Sequence, residues 1–334
     1  MLSRDEVRAA IRFQNPPRPP RAFTKWWGEG LWEQYGEALH RFDKYEEDVV
    51  VVPFPCPAFE PREDGFYWRL PRRERSGPVG LDADAALPDW ADLPALLGSL
   101  PDTDAPGLFD EAKELAQKAH AAGKYVLIHH WSLMYERIWM FRGMQQLLLD
   151  YYDFPEEVHA LHRAVLDTEM KLLRRAAREV RPDGYMISDD LGSQTSLMMG
   201  PNLFREFIKP YFAELWGLCR ELDMDPWLHT CGNVTEFMED FIEIGFDVIH
   251  PIQKYSMDEV EIARKYGGRI TILAGLDVQQ IIPYGTAEDV RAEVRHIIDT
   301  YARADGRLIL TLGNAATSDC PIENLYALLE ESVQ

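Results

Sequence analysis

The chain has 334 residues, of which 46% are hydrophobic and 11% aromatic, so it can bury a substantial core and global disorder is excluded. Its 56 Asp and Glu residues outnumber 35 Lys and Arg residues, and the net charge of −21 opposes binding to nucleic acid and anionic membranes. No stretch approaches the ~18 apolar residues of a membrane span, and residues 1–12 lack a signal-peptide core, so we expect a cytoplasmic protein.

The first third of the chain predicts two strands and a long loop. Apolar runs at 22–27 and 48–54 predict strands, the second continuously apolar as in buried parallel sheets. Residues 55–105 are rich in Pro, Gly and charged residues and show no helical period. Because this region also carries aromatic residues, we expect it to be an ordered lid or extended loop over one face.

From residue 125 onward, short β-branched apolar runs alternate with amphipathic helices, which is typical of a parallel sheet. Strands are predicted at 125–130, 185–189, 227–231, 248–253, 270–275 and 308–312. Helices are predicted to begin near Pro155, Pro201, Val234, Met257, Ala287 and Pro321. This order predicts one domain, residues 1–334, with an α/β fold: a (β/α)8 TIM-type barrel with an N-terminal extension and a lid loop.

The predicted strands end in polar residues, and in a parallel barrel the functional side chains lie at these ends. The sequence places there His129, His130, Trp131, Asp189, Asp190, His229, Cys231, His250, Gln253, Asp277 and Asn314. We therefore expect an active site at this edge of the sheet.

His229 and Cys231 stand two residues apart on one strand, so their side chains point to the same face. Imidazole and thiolate suit zinc, and a catalytic zinc usually has three protein ligands. Cys320, at a predicted helix start that favours a thiolate, is the predicted third ligand, with His250 and Glu136 as alternatives. The other interpretation is a metal-free site in which the His and Cys belong to the core.

Other residues are predicted to complete the site. Because adjacent strand residues face opposite ways, one of the two aspartates enters the mouth, and we favour Asp190 as base or substrate anchor. Glu136 is a candidate acid, although an exposed loop glutamate is the alternative. Arg142 is a candidate for binding a carboxylate, or else for capping a helix or pairing with Glu136. Further predicted substrate contacts are Trp26, Trp27, Trp131, Gln194, His250 and Asn314.

Several motifs point to a known family. They are SDDLGSQ at 188–194, MMGP at 198–201, FREFIKPY at 204–211, LHTCGNV at 228–234, GLDVQ at 275–279 and DCPIEN at 319–324. Together they resemble the uroporphyrinogen decarboxylase superfamily over most of residues 125–334. The resemblance implies a (β/α)8 barrel with one of two chemistries: metal-free decarboxylation of uroporphyrinogen, or zinc-dependent methyl transfer between small methylated compounds or thiols and corrinoid proteins.

The N-terminal region favours the second chemistry. The decarboxylases of the superfamily carry an arginine-bearing R-Q-A-G-R-Y motif that binds substrate carboxylates, whereas this chain reads FTKWWGEG at 23–30, without arginine. The methyltransferase branch resembles the chain in the H-x-C pair and takes a further cysteine from the end of the last strand. That cysteine would fall near Asn314, and Cys320 stands six residues later, so the third ligand stays open.

The sequence thus predicts a methyltransferase in which zinc acts as Lewis acid on a small methylated substrate, and the tryptophans suggest a methoxylated aromatic one. The methyl acceptor would be the cobalt of a corrinoid (cobalamin) carried by a partner protein. The alternative is a decarboxylase of a tetrapyrrole or related acid, with Asp190 hydrogen-bonding the pyrrole N–H groups. A noncatalytic binding barrel is the third interpretation, and a homodimer is left open.

Overall fold

The computed structural model describes residues 1–23, 27–28, 30–58, 63, 65–68 and 85–333. Within them lie seven strands: β1 Val49–Pro53, β2 Tyr125–His130, β3 Gly184–Ser188, β4 Asp225–His229, β5 Val248–His250, β6 Thr271–Leu276 and β7 Leu308–Leu312. They form one sheet, parallel throughout and in chain order from β1 to β7, that curls into a half-barrel. Strands β2 to β7 are buried along their whole length, which explains their continuous apolar runs.

Fourteen helices of the described residues surround this sheet. They are α1 Arg4–Ile11, α2 Leu31–Tyr35, α3 Leu93–Leu97, α4 Asp110–Ala121, α5 Tyr135–Arg142, α6 Met144–Asp153, α7 Pro155–Glu179, α8 Pro201–Phe207, α9 Lys209–Glu221, α10 Met238–Ile244, α11 Glu259–Tyr266, α12 Ile281–Tyr284, α13 Ala287–Tyr301 and α14 Ile322–Ser332. Short 3-10 helices occupy Gly36–Lys44, Trp90–Asp92 and Thr235–Phe237. In the part of the chain that the structure describes, no helix has both the length and the apolar character needed to cross a membrane.

A short segment around Arg21 hydrogen-bonds to both outer strands of the sheet. On one side the N–H of Ala22 donates to the carbonyl of Leu310 in β7 at 3.0 Å. On the other side the N–H of Asp48, next to β1, donates to the carbonyl of Arg21, also at 3.0 Å. The strand predicted at 22–27 is therefore reduced, in its described residues, to isolated bridges near its two ends.

Most predicted boundaries lie within two residues of the observed ones. Strands β2 and β7 have the predicted limits, and helices α7, α8 and α13 begin at the predicted residues. The strand predicted at 248–253 is wrong in length, because β5 ends at His250. The next residue is Pro251, which has no N–H to donate to a ladder.

The region 55–105 contains helix α3, although the sequence showed no helical period there. A five-residue helix is too short to display a period, which explains the error. Trp68 is buried, and its indole N–H donates to the carbonyl of Leu96 at 3.0 Å, which holds Trp68 against α3. Residues 59–62, 64 and 69–84 lie outside the described residues, so the predicted lid stays a prediction.

Candidate active site

Three side chains with metal-binding atoms converge at the carboxyl ends of β3 and β4. Asp190, His229 and Cys231, here called the ligand group, have ligand atoms that all lie within 4.8 Å of one another. The Sγ of Cys231 is 3.4 Å and the Oδ1 of Asp190 is 3.8 Å from the Nε2 of His229. Carboxylate, imidazole and thiolate are all established zinc ligands. The group therefore offers the three protein ligands that a catalytic zinc usually has.

Two glycines allow the loops after β3 and β4 to meet. Gly232 has a φ of +84°, and a Cβ at this position would lie 2.3 Å from the backbone of Gly192. Only glycine tolerates both this dihedral angle and this close approach. As a result, the backbone N–H of Cys231 donates to the Oδ1 of Asp190 at 2.8 Å, which fixes the carboxylate beside the thiol.

A hydrogen-bond chain orients the imidazole of His229. The register of β4 and β5 pairs His229 with His250, whose Nδ1 lies 2.7 Å from the Nδ1 of His229. The Nε2 of His250 lies 2.7 Å from the carbonyl oxygen of Leu312. Because that oxygen can only accept, we assign the hydrogen to this Nε2, so the Nδ1 of a neutral His250 accepts from His229. The Nε2 of His229 then has its lone pair directed at the other members of the ligand group, as in a metal-binding histidine.

The two adjacent aspartates have different surroundings. Asp189 is buried and accepts the N–H groups of Met134, Tyr135 and Glu136 at 3.2, 2.9 and 2.8 Å, so it caps the start of α5. Burial raises the pKa of Asp189 to about 7, although the three hydrogen bonds stabilise the carboxylate and lower the pKa. Asp190, in contrast, belongs to the ligand group, and its carboxylate lies beside His229 and Cys231. By holding α5, Asp189 places Glu136 beside Asp190.

The ligand group has an acidic environment. Burial, followed by the charges of Asp189 and Asp190, raises the pKa of Glu136 to about 8. Burial, followed by Asp190 and Glu136, raises the pKa of the Cys231 thiol well above its usual value. Without a cation the thiol is therefore protonated at neutral pH. A bound divalent cation would offset these negative charges and favour the thiolate.

A cavity of about 250 Å³ opens beside Cys231. Its polar lining includes Gln194, Gln253, Lys254, Asp277 and Asn314. The ammonium of Lys254 lies 2.5 and 2.6 Å from the two carboxylate oxygens of Glu293, so its charge is neutralised. The volume lies below the usual range of ~300–1,000 Å³ for drug-sized ligands. The cavity thus suits a small substrate without strong negative charge.

Of the predicted substrate contacts that the structure describes, some line the cavity or lie near His229 and others pack elsewhere. Gln194 and Asn314 line the cavity, and the amide of Asn314 lies 3.6 Å from the Sγ of Cys231. The ring of Trp131, half exposed, is 6.0 Å from that of His229, whereas Trp27 packs on Phe42 at 5.5 Å. Trp26 lies outside the described residues.

Three predicted site residues have structural surroundings instead. His250, predicted as a substrate contact, is buried between His229 and the carbonyl of Leu312. Cys320 does not belong to the ligand group: it is buried, and burial raises the pKa of its thiol despite the nearby helix start. Arg142 is also buried, and its guanidinium donates to Asp150 at 2.7 Å and to the carbonyl of Leu87 at 2.6 Å. We therefore replace Cys320 by Asp190 in the candidate ligand set and remove Arg142 from the substrate contacts.

Gln253 lies just past the end of β5, a position to which the sequence alone assigns no role. Its Oε1 accepts the N–H of Gly232 at 2.5 Å, and its amide donates to Gln194 at 3.3 Å. It thus joins the turn after β4 to the cavity wall. Its position just past β5 was the available signal.

The chain belongs to the uroporphyrinogen decarboxylase family, whose model, described as Uroporphyrinogen decarboxylase (URO-D), matches residues 131–333. Among its curated relatives is the methylcobamide:CoM methyltransferase MtbA of Methanosarcina mazei, 27% identical over 133 residues, which are 40% of this chain and 37% of that protein. Uroporphyrinogen decarboxylase of Xanthomonas axonopodis pv. citri is 25% identical over 190 residues, 54% of this chain and 50% of that protein. The matches therefore span half or less of these relatives.

Among solved structures, a methyltransferase from Methanosarcina mazei has the same fold. The superposition has a TM-score of 0.67 at 15% sequence identity and covers 100% of this chain and 99% of the other. At this identity the similarity concerns the fold alone.

Proposed function

We propose that this protein is a methyltransferase that moves a methyl group from a small methylated substrate to a corrinoid protein, with zinc held by Asp190, His229 and Cys231. The observation that carries the proposal is the ligand group itself, with its three ligand atoms within 4.8 Å and the lone pair of His229 directed at it through His250. The matches to methylcobamide:CoM methyltransferases support the reaction class.

The donor set fits zinc for a second reason, which is charge. Burial raises the pKa of the Asp190 carboxyl, and burial together with the charges of Asp190 and Glu136 raises the pKa of the Cys231 thiol. A zinc ion bound here would polarise the oxygen or sulfur that carries the methyl group, acting as a Lewis acid. The acidic neighbours then serve to hold the cation.

The protein's own residues would position the substrate. Gln194, Gln253 and Asn314 offer amide groups around the cavity beside Cys231, and Trp131 offers an aromatic face near His229. Glu136, whose pKa is raised to about 8 in the metal-free protein, lies beside Asp190 and would donate a proton to the leaving oxygen or sulfur. A small methoxylated aromatic compound matches this combination of amides and an aromatic ring.

The fold would supply the docking site. We infer that the segment around Arg21 completes an eight-stranded (β/α)8 barrel. The corrinoid partner would dock at the mouth of this barrel, where Trp131 is half exposed.

Uroporphyrinogen decarboxylation is the alternative that the family allows. A substrate with many carboxylates requires guanidinium or ammonium partners. The cavity lining contains no arginine among the described residues, and its lysine, Lys254, is bound to Glu293. The cavity therefore favours methyl transfer over this alternative.

The first experiment measures metal content by inductively coupled plasma mass spectrometry on protein purified without a histidine tag. We expect about one zinc per chain, lost in the His229→Ala/Cys231→Ala variant and retained in the control Cys320→Ala. Absence of zinc, even after reconstitution, would contradict the proposed site.

The second experiment tests the reaction. Zinc-loaded protein is mixed with free cob(I)alamin and a series of methoxylated aromatics and methylthiols, and methylcobalamin formation is followed by absorbance. We expect turnover with wild type and none with the His229→Ala/Cys231→Ala variant. Decarboxylation of uroporphyrinogen by zinc-free protein, without methyl transfer, would establish the alternative.

A further inference from the structure

A second thiol lies at the same edge of the sheet, outside the ligand group. Cys56 follows β1, and its Sγ is 2.7 Å from a guanidinium nitrogen of Arg137, with the imidazole of His130 as a second charged neighbour. On the other side of that ring, the Nδ1 of His130 is 2.7 Å from a carboxylate oxygen of Glu169. The hydroxyl of Tyr185 donates to the same carboxylate. We call Cys56, His130, Arg137 and Glu169 the Cys56 cluster.

The geometry of this cluster assigns its protons. A guanidinium contains only donor groups, so in its contact with Arg137 the sulfur of Cys56 accepts the hydrogen bond. The carboxylate of Glu169 lies 2.7 Å from the Nδ1 of His130, and the Nε2 of that ring lies 3.5 Å from the guanidinium nitrogen of Arg137 that contacts the sulfur. A thiolate and an imidazolium leave the cluster neutral, with Arg137 and His130 balancing Cys56 and Glu169. This is the Cys–His–carboxylate arrangement that activates thiol nucleophiles.

Burial and access agree with this assignment. His130, Arg137 and Glu169 are buried, whereas Cys56 is partly exposed and lies 3.8 Å from the carbonyl oxygen of the half-exposed Trp131. Burial raises the pKa of Cys56, but the charges of His130 and Arg137 outweigh it and lower the pKa to about 7. Burial likewise lowers the pKa of His130, and the thiolate and Glu169 raise it to about 10.

We propose that Cys56 is a nucleophilic thiolate that reacts with small hydroperoxides and is a site of sulfenic acid formation. The sulfur attacks the terminal oxygen of the hydroperoxide, the S–O bond forms and the O–O bond breaks. The departing alkoxide, which is hydroxide when the substrate is hydrogen peroxide, takes the proton from His130 and leaves as an alcohol or as water. Sulfur is oxidised by two electrons and the peroxide is reduced, so atoms and charge balance. The proton donor beside the sulfur favours hydroperoxides, because hydroxide is a poor leaving group unless it is protonated.

The test exposes the full-length protein to hydrogen peroxide in the presence of dimedone, which traps sulfenic acids, and quantifies adducts at all four cysteines by peptide mass spectrometry. We expect Cys56 to be labelled at least about tenfold faster than Cys219 or Cys320. The variants Arg137→Gln and His130→Gln should lower labelling at pH 6.5 about tenfold, while Cys320→Ser leaves it unchanged. No adduct at Cys56, or equal labelling at all cysteines, overturns the proposal.

A second measurement covers the case in which a cluster variant fails to fold. The rate of carbamidomethylation of Cys56 by iodoacetamide in wild-type protein should rise with a midpoint near pH 7. A midpoint at the ordinary thiol value, about 8.5, overturns the thiolate assignment. A midpoint near 7 without any dimedone adduct overturns the hydroperoxide assignment.

Discussion

Cys56 and Cys231 lie at the same edge of one sheet, yet their surroundings have opposite charge. Cys231 has Asp190 and Glu136 as its charged neighbours, and its pKa is raised. Cys56 has His130 and Arg137, and its pKa is lowered. Both thiols are largely shielded from water, so burial raises the pKa of each. The difference therefore comes from the sign of the neighbouring charges.

The comparison indicates two different uses of sulfur. The Cys231 thiol becomes a thiolate only when a cation is supplied from outside the protein, as a metal ligand requires. The Cys56 thiol is made a thiolate by the protein's own cations and is reactive without metal.

The largest effect is expected from Asp190→Asn, which removes a charged member of the ligand group. Zinc affinity is measured by competition with a chromogenic chelator. It should fall more than ~100-fold, because ~100-fold is the upper limit for residues that hydrogen-bond to a metal ligand without binding the metal. Asp277→Asn, which changes a carboxylate of the cavity lining outside the ligand group, is the matched control and should retain wild-type affinity. Unchanged affinity in Asp190→Asn would exclude Asp190 as a ligand.

The next effect is expected from His250→Phe, which breaks the hydrogen-bond chain to His229. Because that chain selects the tautomer of His229, zinc affinity should fall roughly 10–100-fold. His162→Phe is the control, since His162 is an equally buried histidine on α7 that bonds to the carbonyl of Val158. If both variants lose the same affinity, the loss reflects general destabilisation and the orienting role of His250 is refuted.

Alkylation of zinc-free protein compares the two thiols directly. At pH 7 about half of Cys56 should be thiolate, whereas Cys231 should be almost entirely protonated. Iodoacetamide should therefore modify Cys56 at least about tenfold faster, as peptide mass spectrometry can measure. Asp190→Asn should narrow this ratio by lowering the pKa of Cys231. Similar rates at the two cysteines would remove the basis of the comparison.

The smallest effect concerns stability. The pKa of Glu136 is raised from 4.5 to about 8, so the folded state retains a proton that the unfolded chain loses between these values. The stability from protonated Glu136 is complete below pH 4.5 and is lost as the pH rises to about 8. In zinc-free protein, Glu136→Gln should raise the Tm by roughly 2–4 °C at pH 8.5 and leave it unchanged near pH 4.5.

The control for this measurement is Glu206→Gln, because Glu206 is exposed. Thermal unfolding is followed by circular dichroism at a series of pH values. A gain in Tm that is the same at pH 4.5 and 8.5 would show that the ionisation of Glu136 is not its cause.

The candidate site was only partly predictable. His229 and Cys231 follow from the strand pattern, because side chains two residues apart share a face. The adjacent aspartates showed that one would enter the mouth. The sequence did not identify the third metal ligand. Cys320 offers a thiolate, which suits zinc well, but it is Asp190 that lies beside His229 and Cys231. The crossing of Gly192 and Gly232 that creates this position leaves no periodic signal.

By itself the sequence determined the α/β class, the parallel strands and the family, because hydrophobic periodicity and helix-start signals are local and the motifs are contiguous. Only the tertiary structure decided which thiol faces carboxylates and which faces cations. Cys56, His130 and Glu169 come from distant parts of the chain, and His250 reaches His229 through strand register. Distances between such groups depend on how elements pack, and charge and hydrogen-bond effects depend on those distances.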